Sequence, residues 1–181
     1  MNKKLINYFN GDTLAASIWL QKYAYKNEVT PNDMHKRMAR EFIRIEQKYQ
    51  HLEKHEDKHK LSEYGKNREH LNFDKIFELF KDFKYIIPQG SVMATLGTDY
   101  LASLSNCWVV DEPEDSYASI LKTDAEAVFL YKRRGGVGTG ISKLRPKNTF
   151  TNNSAKSSTG AVSFMDRFSS TVKEVAQSGR E

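Results

Sequence analysis

A single cysteine, Cys107, stands among 181 residues. No disulfide can close within such a chain, and this usage fits a reducing compartment. No apolar run approaches the ~18 residues of a membrane-spanning helix. The opening stretch carries Lys3 and Lys4 but no apolar core or small-residue cleavage site behind them, so it is not a secretory signal. A cytoplasmic protein without a membrane partner is therefore expected. Zinc-type Cys/His spacing is missing, and so is any basic motif interleaved with aromatics. The net charge of +5 then suits small phosphate-bearing partners better than direct nucleic-acid binding.

Proline is also sparse, with four residues, and there are ten glycines. What is present is periodic. Asp12 caps a helix that places Leu14, Ile18 and, less strictly, Tyr23 on one face. Thr30-Pro31-Asn32-Asp33 opens a second helix, with Thr as cap, Pro in the first turn and Asp at the positive end of the dipole. Met34, Met38, Phe42, Ile45 and Tyr49 follow at helical spacing, a stripe read as core packing rather than a cofactor pocket. Residues 51–71 are charge-rich and read as a linker. His51, His55 and His59 stand four apart within it, but lysines and acids surround them and nothing closes a metal site.

From Phe73 the grammar changes. Phe73 to Phe83 reads as a short amphipathic helix, Lys84 to Pro88 as a strand ended by proline, and Gln89-Gly90-Ser91 as a turn. Leu104 to Val110 reads as a second strand. Asp115-Ser116 caps one helix, Thr123-Asp124 another, and a last helix runs from about Gly160 to Gln177. Such alternation belongs to an α/β layer, whereas the first seventy-odd residues are helical only. The expected division is 1–85, helical, and 86–181, α/β.

Four glycines fall within positions 135–140 of Lys132-Arg133-Arg134-Gly135-Gly136-Val137-Gly138-Thr139-Gly140-Ile141-Ser142-Lys143-Leu144-Arg145-Pro146. They let a ligand approach the backbone N–H groups, and the flanking cations favour a polyanion. The spacing is neither a P-loop nor G-x-G-x-x-G, whose third glycine would sit at 141.

This segment, with Ser103-Leu104-Ser105-Asn106-Cys107-Trp108-Val109-Val110 before it and Ser158-Thr159-Gly160-Ala161-Val162-Ser163-Phe164-Met165-Asp166-Arg167-Phe168 after it, resembles the catalytic subunit of ribonucleotide reductases. The resemblance is close over 86–181 and weaker over 7–50. It implies an α+β or α/β architecture, a helical N-terminal region followed by the first part of a ten-stranded α/β barrel. It further implies an oxidoreductase that makes deoxyribonucleotides for DNA synthesis, using thiols and a radical. Cys107 would be one of two redox thiols, with Ser91, Asn106, Cys107 and Gly136 at the substrate. Asp115, Ser116, Tyr117 and Arg145 would bind an allosteric deoxynucleotide or ATP effector. Gln177 and Arg180 would begin the loop that passes effector identity to the substrate site.

The wording of the motifs is most similar to the adenosylcobalamin-dependent class; the alternative is a radical from a separate dimetal subunit. A thioredoxin-like reductant and the missing C-terminal part of the catalytic subunit are the implied partners. Without that part, which would carry the other cysteines, the chain is expected to be inactive. A non-catalytic nucleotide-binding or assembly module derived from a reductase is the rival reading.

Overall fold

Capping chemistry sets the helices of the N-terminal half. In the computed structural model, which describes residues 2–54 and 61–175, Asn2 caps α1 (Lys3–Tyr8) and Asp12 caps α2 (Thr13–Lys22), each through its side-chain oxygen. Helix α3 spans Pro31–Lys54. Asp33 reaches back at its start, accepting from the backbone N–H of Val29 and Thr30, each at 3.1 Å. Short helices α4 (Glu63–Asn67), α5 (Phe73–Phe80) and α6 (Gly90–Thr95) follow, with a 3₁₀ turn at Lys81–Phe83. The chain then forms β1 (Cys107–Val109), α7 (Tyr117–Tyr131), β2 (Gly136–Gly138) and α8 (Ala161–Val175).

Two compact units divide the chain, Met1–Tyr100 and Leu101–Glu181. The first is built on α3. Met34, Met38 and Ala39 are fully buried there, against Leu5, Ala16, Trp19, Ile76 and Phe80. Burial of such side chains contributes roughly 1.5–3 kcal/mol each. Arg37 fastens this unit from inside. Its guanidinium pairs with Glu28 at 2.7 Å, donates to the Met93 carbonyl at 3.0 Å, and also donates to the Leu96 carbonyl. Those last two bonds tie α6 to α3, which is why the first unit extends to Tyr100 rather than ending at 85.

Several local expectations differ from what forms. Leu14 and Ile18 are exposed, and α2 buries Ala16 and Trp19 instead. Phe42, Ile45 and Tyr49 continue the α3 stripe only partly covered. Helix α3 runs on to Lys54 and α4 lies within the segment read as a linker. Arg68 doubly bonds Glu46 at 2.6 and 2.7 Å, fastening that segment back onto α3. His51 lies in α3; His55 and His59 fall outside the described residues. Lys84 to Pro88 has no strand partner among the described residues, because left-handed Asp82 and Phe83 (φ 55° and 56°) turn the chain first. Gln89-Gly90-Ser91 is the start of α6, not a turn.

In the second unit β1 and β2 pair in parallel, Cys107 opposite Gly136 and Val109 opposite Gly138. Parallel neighbours require a crossover, here α7. Helix α7 is continuous through Thr123 and Asp124. That pair caps nothing because it is buried facing α8, where Asp124 accepts from Arg167 at 2.9 and 3.0 Å. These two three-residue strands and one isolated bridge, Phe150 with Ser157, are the β-structure of the described residues. No described helix is long and apolar enough to cross a membrane.

Candidate functional site

Two groups of residues in the second unit are candidates. The first lies where β1 begins. β-Branched and aromatic residues in Cys107-Trp108-Val109 favour an extended chain, and the glycines opposite permit a close approach. The Gly136 N–H donates to the Asn106 carbonyl at 2.6 Å, and Cys107 faces Gly136 across the pair with its thiol exposed. The glycine segment is thus a strand, not only a turn. Asn106, Cys107 and Gly136 are brought together. Ser91 belongs to the other unit, buried in α6, where its carbonyl accepts from the Thr95 hydroxyl at 2.7 Å.

Gly135 has a role the sequence did not expose. A Cβ there would come within 2.8 Å of Trp108 Cδ1 and 3.1 Å of the Leu130 carbonyl. The indole lies this close to the backbone only because position 135 carries no side chain. At Gly136 the nearest atom to such a Cβ is the Asn106 carbonyl oxygen, at 3.3 Å.

The second group lines a cavity of about 350 Å³, within the usual size for a small-molecule site. Asp115, Ser116, Tyr117 and Arg145 all border it. Ser116 caps α7 by accepting from the Ser119 N–H at 3.2 Å. Asp115 receives the Arg145 backbone N–H at 3.3 Å and the Arg145 Nε–H on its other oxygen. That guanidinium holds the Asp115 carboxyl below its ordinary range, chiefly through the side-chain hydrogen bond. Arg145 Nη1 donates to the Phe150 carbonyl at 3.2 Å.

The far wall is a hairpin-like loop. Ser158 N–H donates to the Thr149 carbonyl at 2.8 Å, and Asn148 N–H to the Ser158 carbonyl at 2.9 Å. The loop contributes Thr151, Asn152, Asn153, Ser157, Ser158 and Thr159. The loop sequence is dense in Asn, Ser and Thr. Gly160 ends it at φ 86°, a left-handed conformation suited to glycine. Phe164 of α8 closes one side, edge-on to Tyr117 with ring centres 5.9 Å apart. The N-termini of α7 and α8 both open here, adding partial positive charge to a site rich in hydroxyls and amides. Such a lining suits a ligand with a flat ring, polar sugar-like groups and an anionic end. Gln177 and Arg180 lie outside the described residues.

The family model for the ribonucleotide reductase barrel domain matches residues 105–181. That segment is similar to the ribonucleotide reductase barrel domain. A vitamin B12-dependent ribonucleoside-diphosphate reductase of Thermoplasma acidophilum is 32% identical over 94 residues, covering 52% of this chain and 12% of that protein. The large chain of the Neurospora crassa ribonucleoside-diphosphate reductase is 31% identical over 78 residues, 43% of this chain and 8% of the relative. The Dictyostelium discoideum large subunit is 29% identical over 76 residues, 42% and 9%. The chain thus spans about a tenth of the length of these relatives, and the stretch matched by the family model contains both candidate groups apart from Ser91.

Proposed function

We propose that this chain supplies the helical N-terminal region and the first barrel strands of a ribonucleotide reductase catalytic subunit. The observation that carries the reading is the pairing of Cys107 with Gly136 inside the segment that matches the reductase barrel. Among the described residues no further strand pairs with the outer edges of β1 and β2, and this, with exposed apolar residues such as Leu101, Val109 and Val162, supports a barrel completed by further strands.

In this reading the Cys107 thiol and a second thiol reduce the ribose 2′ carbon. The 2′ hydroxyl leaves as water, a hydrogen takes its place, and the two sulfurs are left as a disulfide. A dithiol suits this role because it delivers two electrons with two protons and is reset by exchange with a thioredoxin-like reductant. The chain has one cysteine, so the second thiol and the radical-bearing cysteine come from other sequence, proposed to be the C-terminal part. Asn106 and Gly136 hold the substrate nucleotide. Asp115 accepts from the sugar hydroxyl of a deoxynucleotide effector while Arg145 meets its phosphates.

Adenosylcobalamin is the proposed radical source, supported by the name of the Thermoplasma relative; a dimetal subunit is the alternative. Among the described residues no three His, Cys, Asp or Glu converge on a metal position. The cavities of about 350 and 430 Å³ are small beside a corrin. These residues do not themselves fit the cofactor.

The test is to mix the chain with a polypeptide carrying the rest of a reductase and follow deoxyribonucleotide formation. Product is expected only from the mixture and is lost in Cys107→Ser. Turnover that survives Cys107→Ser overturns the thiol assignment. The self-contained cavity in the second unit favours one rival, a non-catalytic nucleotide-binding module. That rival is supported if dTTP binds and no mixture turns over.

A further inference from the structure

Arg145 is held at three points before any ligand arrives. Its backbone N–H and its Nε–H both go to the carboxylate of Asp115, and its Nη1 goes to the Phe150 carbonyl. A free arginine side chain samples many rotamers, and fixing it costs entropy that a ligand would otherwise have to supply. The two bonds to Asp115 occupy the backbone and Nε edge of the arginine. They leave the outer Nη edge of the planar guanidinium, which reaches toward the loop carbonyl at Phe150, as the edge available to an anion.

We infer that Asp115 is a positioning residue for Arg145, orienting its guanidinium toward the cavity and, through the Phe150 carbonyl, steadying the loop 148–158 that forms the far wall. This rests on the effector reading of the cavity and deepens it: Asp115 acts on the anionic end of the ligand as well as on any sugar hydroxyl. A carboxylate has acceptor positions enough for both tasks.

The two roles separate experimentally. Binding of dTTP and of inorganic tripolyphosphate, which has no sugar, is measured by titration calorimetry on the full chain. The proteins are wild type, Asp115→Asn, Arg145→Lys and the double variant. If Asp115 only meets the sugar, Asp115→Asn weakens dTTP and leaves tripolyphosphate unchanged, which overturns the inference. If Asp115 positions Arg145, Asp115→Asn weakens both ligands, by roughly tenfold for a charge-assisted contact at a partly exposed pair. The same substitution made in Arg145→Lys then has little further effect, because the group it oriented is gone. Equal losses in both backgrounds also overturn the inference.

A second readout needs no ligand. The Arg145 Nε–H resonance and the exchange protection of the Thr151 and Ser158 amides are compared by NMR. Asp115→Asn is expected to release all three, and Asp115→Glu to restore them in part; unchanged signals overturn the inference. Failure of the wild-type chain to bind either ligand, with these signals responding as expected, removes the effector reading and leaves the positioning role standing.

Discussion

Replacing Gly135 by alanine adds one methyl group at the most crowded point beside Cys107. The new Cβ would lie 2.8 Å from Trp108 Cδ1, 3.0 Å from its Nε1 and 3.1 Å from the Leu130 carbonyl oxygen. Comfortable carbon–carbon contact lies near ~3.5–4.0 Å, so the indole must retreat by several tenths of an ångström. The Leu130 carbonyl cannot retreat without stretching the bond it accepts from the Gly135 N–H, now 3.0 Å. Overpacking of this kind costs about 1–3 kcal/mol. Trp108 is 39% exposed and has room to swing outward, so the lower half of that range is expected.

Gly138→Ala is the matched control. A Cβ there meets nothing within 4 Å, and the change is expected to be neutral or to stabilise by ~0.4–1 kcal/mol through the unfolded chain. Urea unfolding followed by far-UV circular dichroism measures both variants. The Trp108 indole N–H signal, one of two in the chain, reports the ring's displacement. Coincident midpoints for Gly135→Ala and wild type, with an unmoved indole signal, would refute the packing argument.

His35 is fully buried between Phe80 and Phe83, and burial lowers its pKa from 6.5 to about 4. The unfolded chain therefore binds the extra proton first. The His35 contribution to stability falls as pH drops from 6.5 toward 4 and levels off below, by about 3 kcal/mol in all. His35→Gln should flatten the slope between pH 6.5 and 4.5 in pH-resolved urea unfolding; an unchanged slope sinks the assignment. Glu46, held near pKa 2 chiefly by the Arg68 side chain, contributes stability above pH 4.5 that is lost only as pH falls toward 2, outside that window. Arg37→Ala removes the ion-pair partner of half-buried Glu28 and is expected to cost about 3 kcal/mol, the low end for a broken buried pair, read as a lower midpoint in thermal melts. Cys107→Ser, at an exposed thiol, should change stability by less than ~0.5 kcal/mol, so any loss of turnover in the mixing assay reads chemistry, not folding.

Much of this protein is local and was therefore legible in the chain. The capping oxygens of Asp12 and Ser116 act within three residues of themselves. The α3 stripe needs only the helical period, and the motifs around Cys107 and Gly136 need only their residue types. What stayed illegible depended on partners distant in sequence. Leu14 and Ile18 have the same period as Ala16 and Trp19, and only packing against the rest of the first unit chose which face to bury. Lys84 to Ile87 has strand-forming residues, but a strand needs a neighbour and the described residues supply none. Thr123 and Asp124 look like a cap until Arg167, 43 positions after Asp124, supplies the reason for burying a carboxylate in mid-helix. The sequence by itself determined where the helices capped by Asp12 and Ser116 begin and which residue types stand in the motifs around Cys107 and Gly136, because those follow from neighbours along the chain. Only the tertiary structure decided that Asp115 and Arg145, 30 positions apart, share one cavity, because that requires α7 and the turn before Pro146 to fold onto each other.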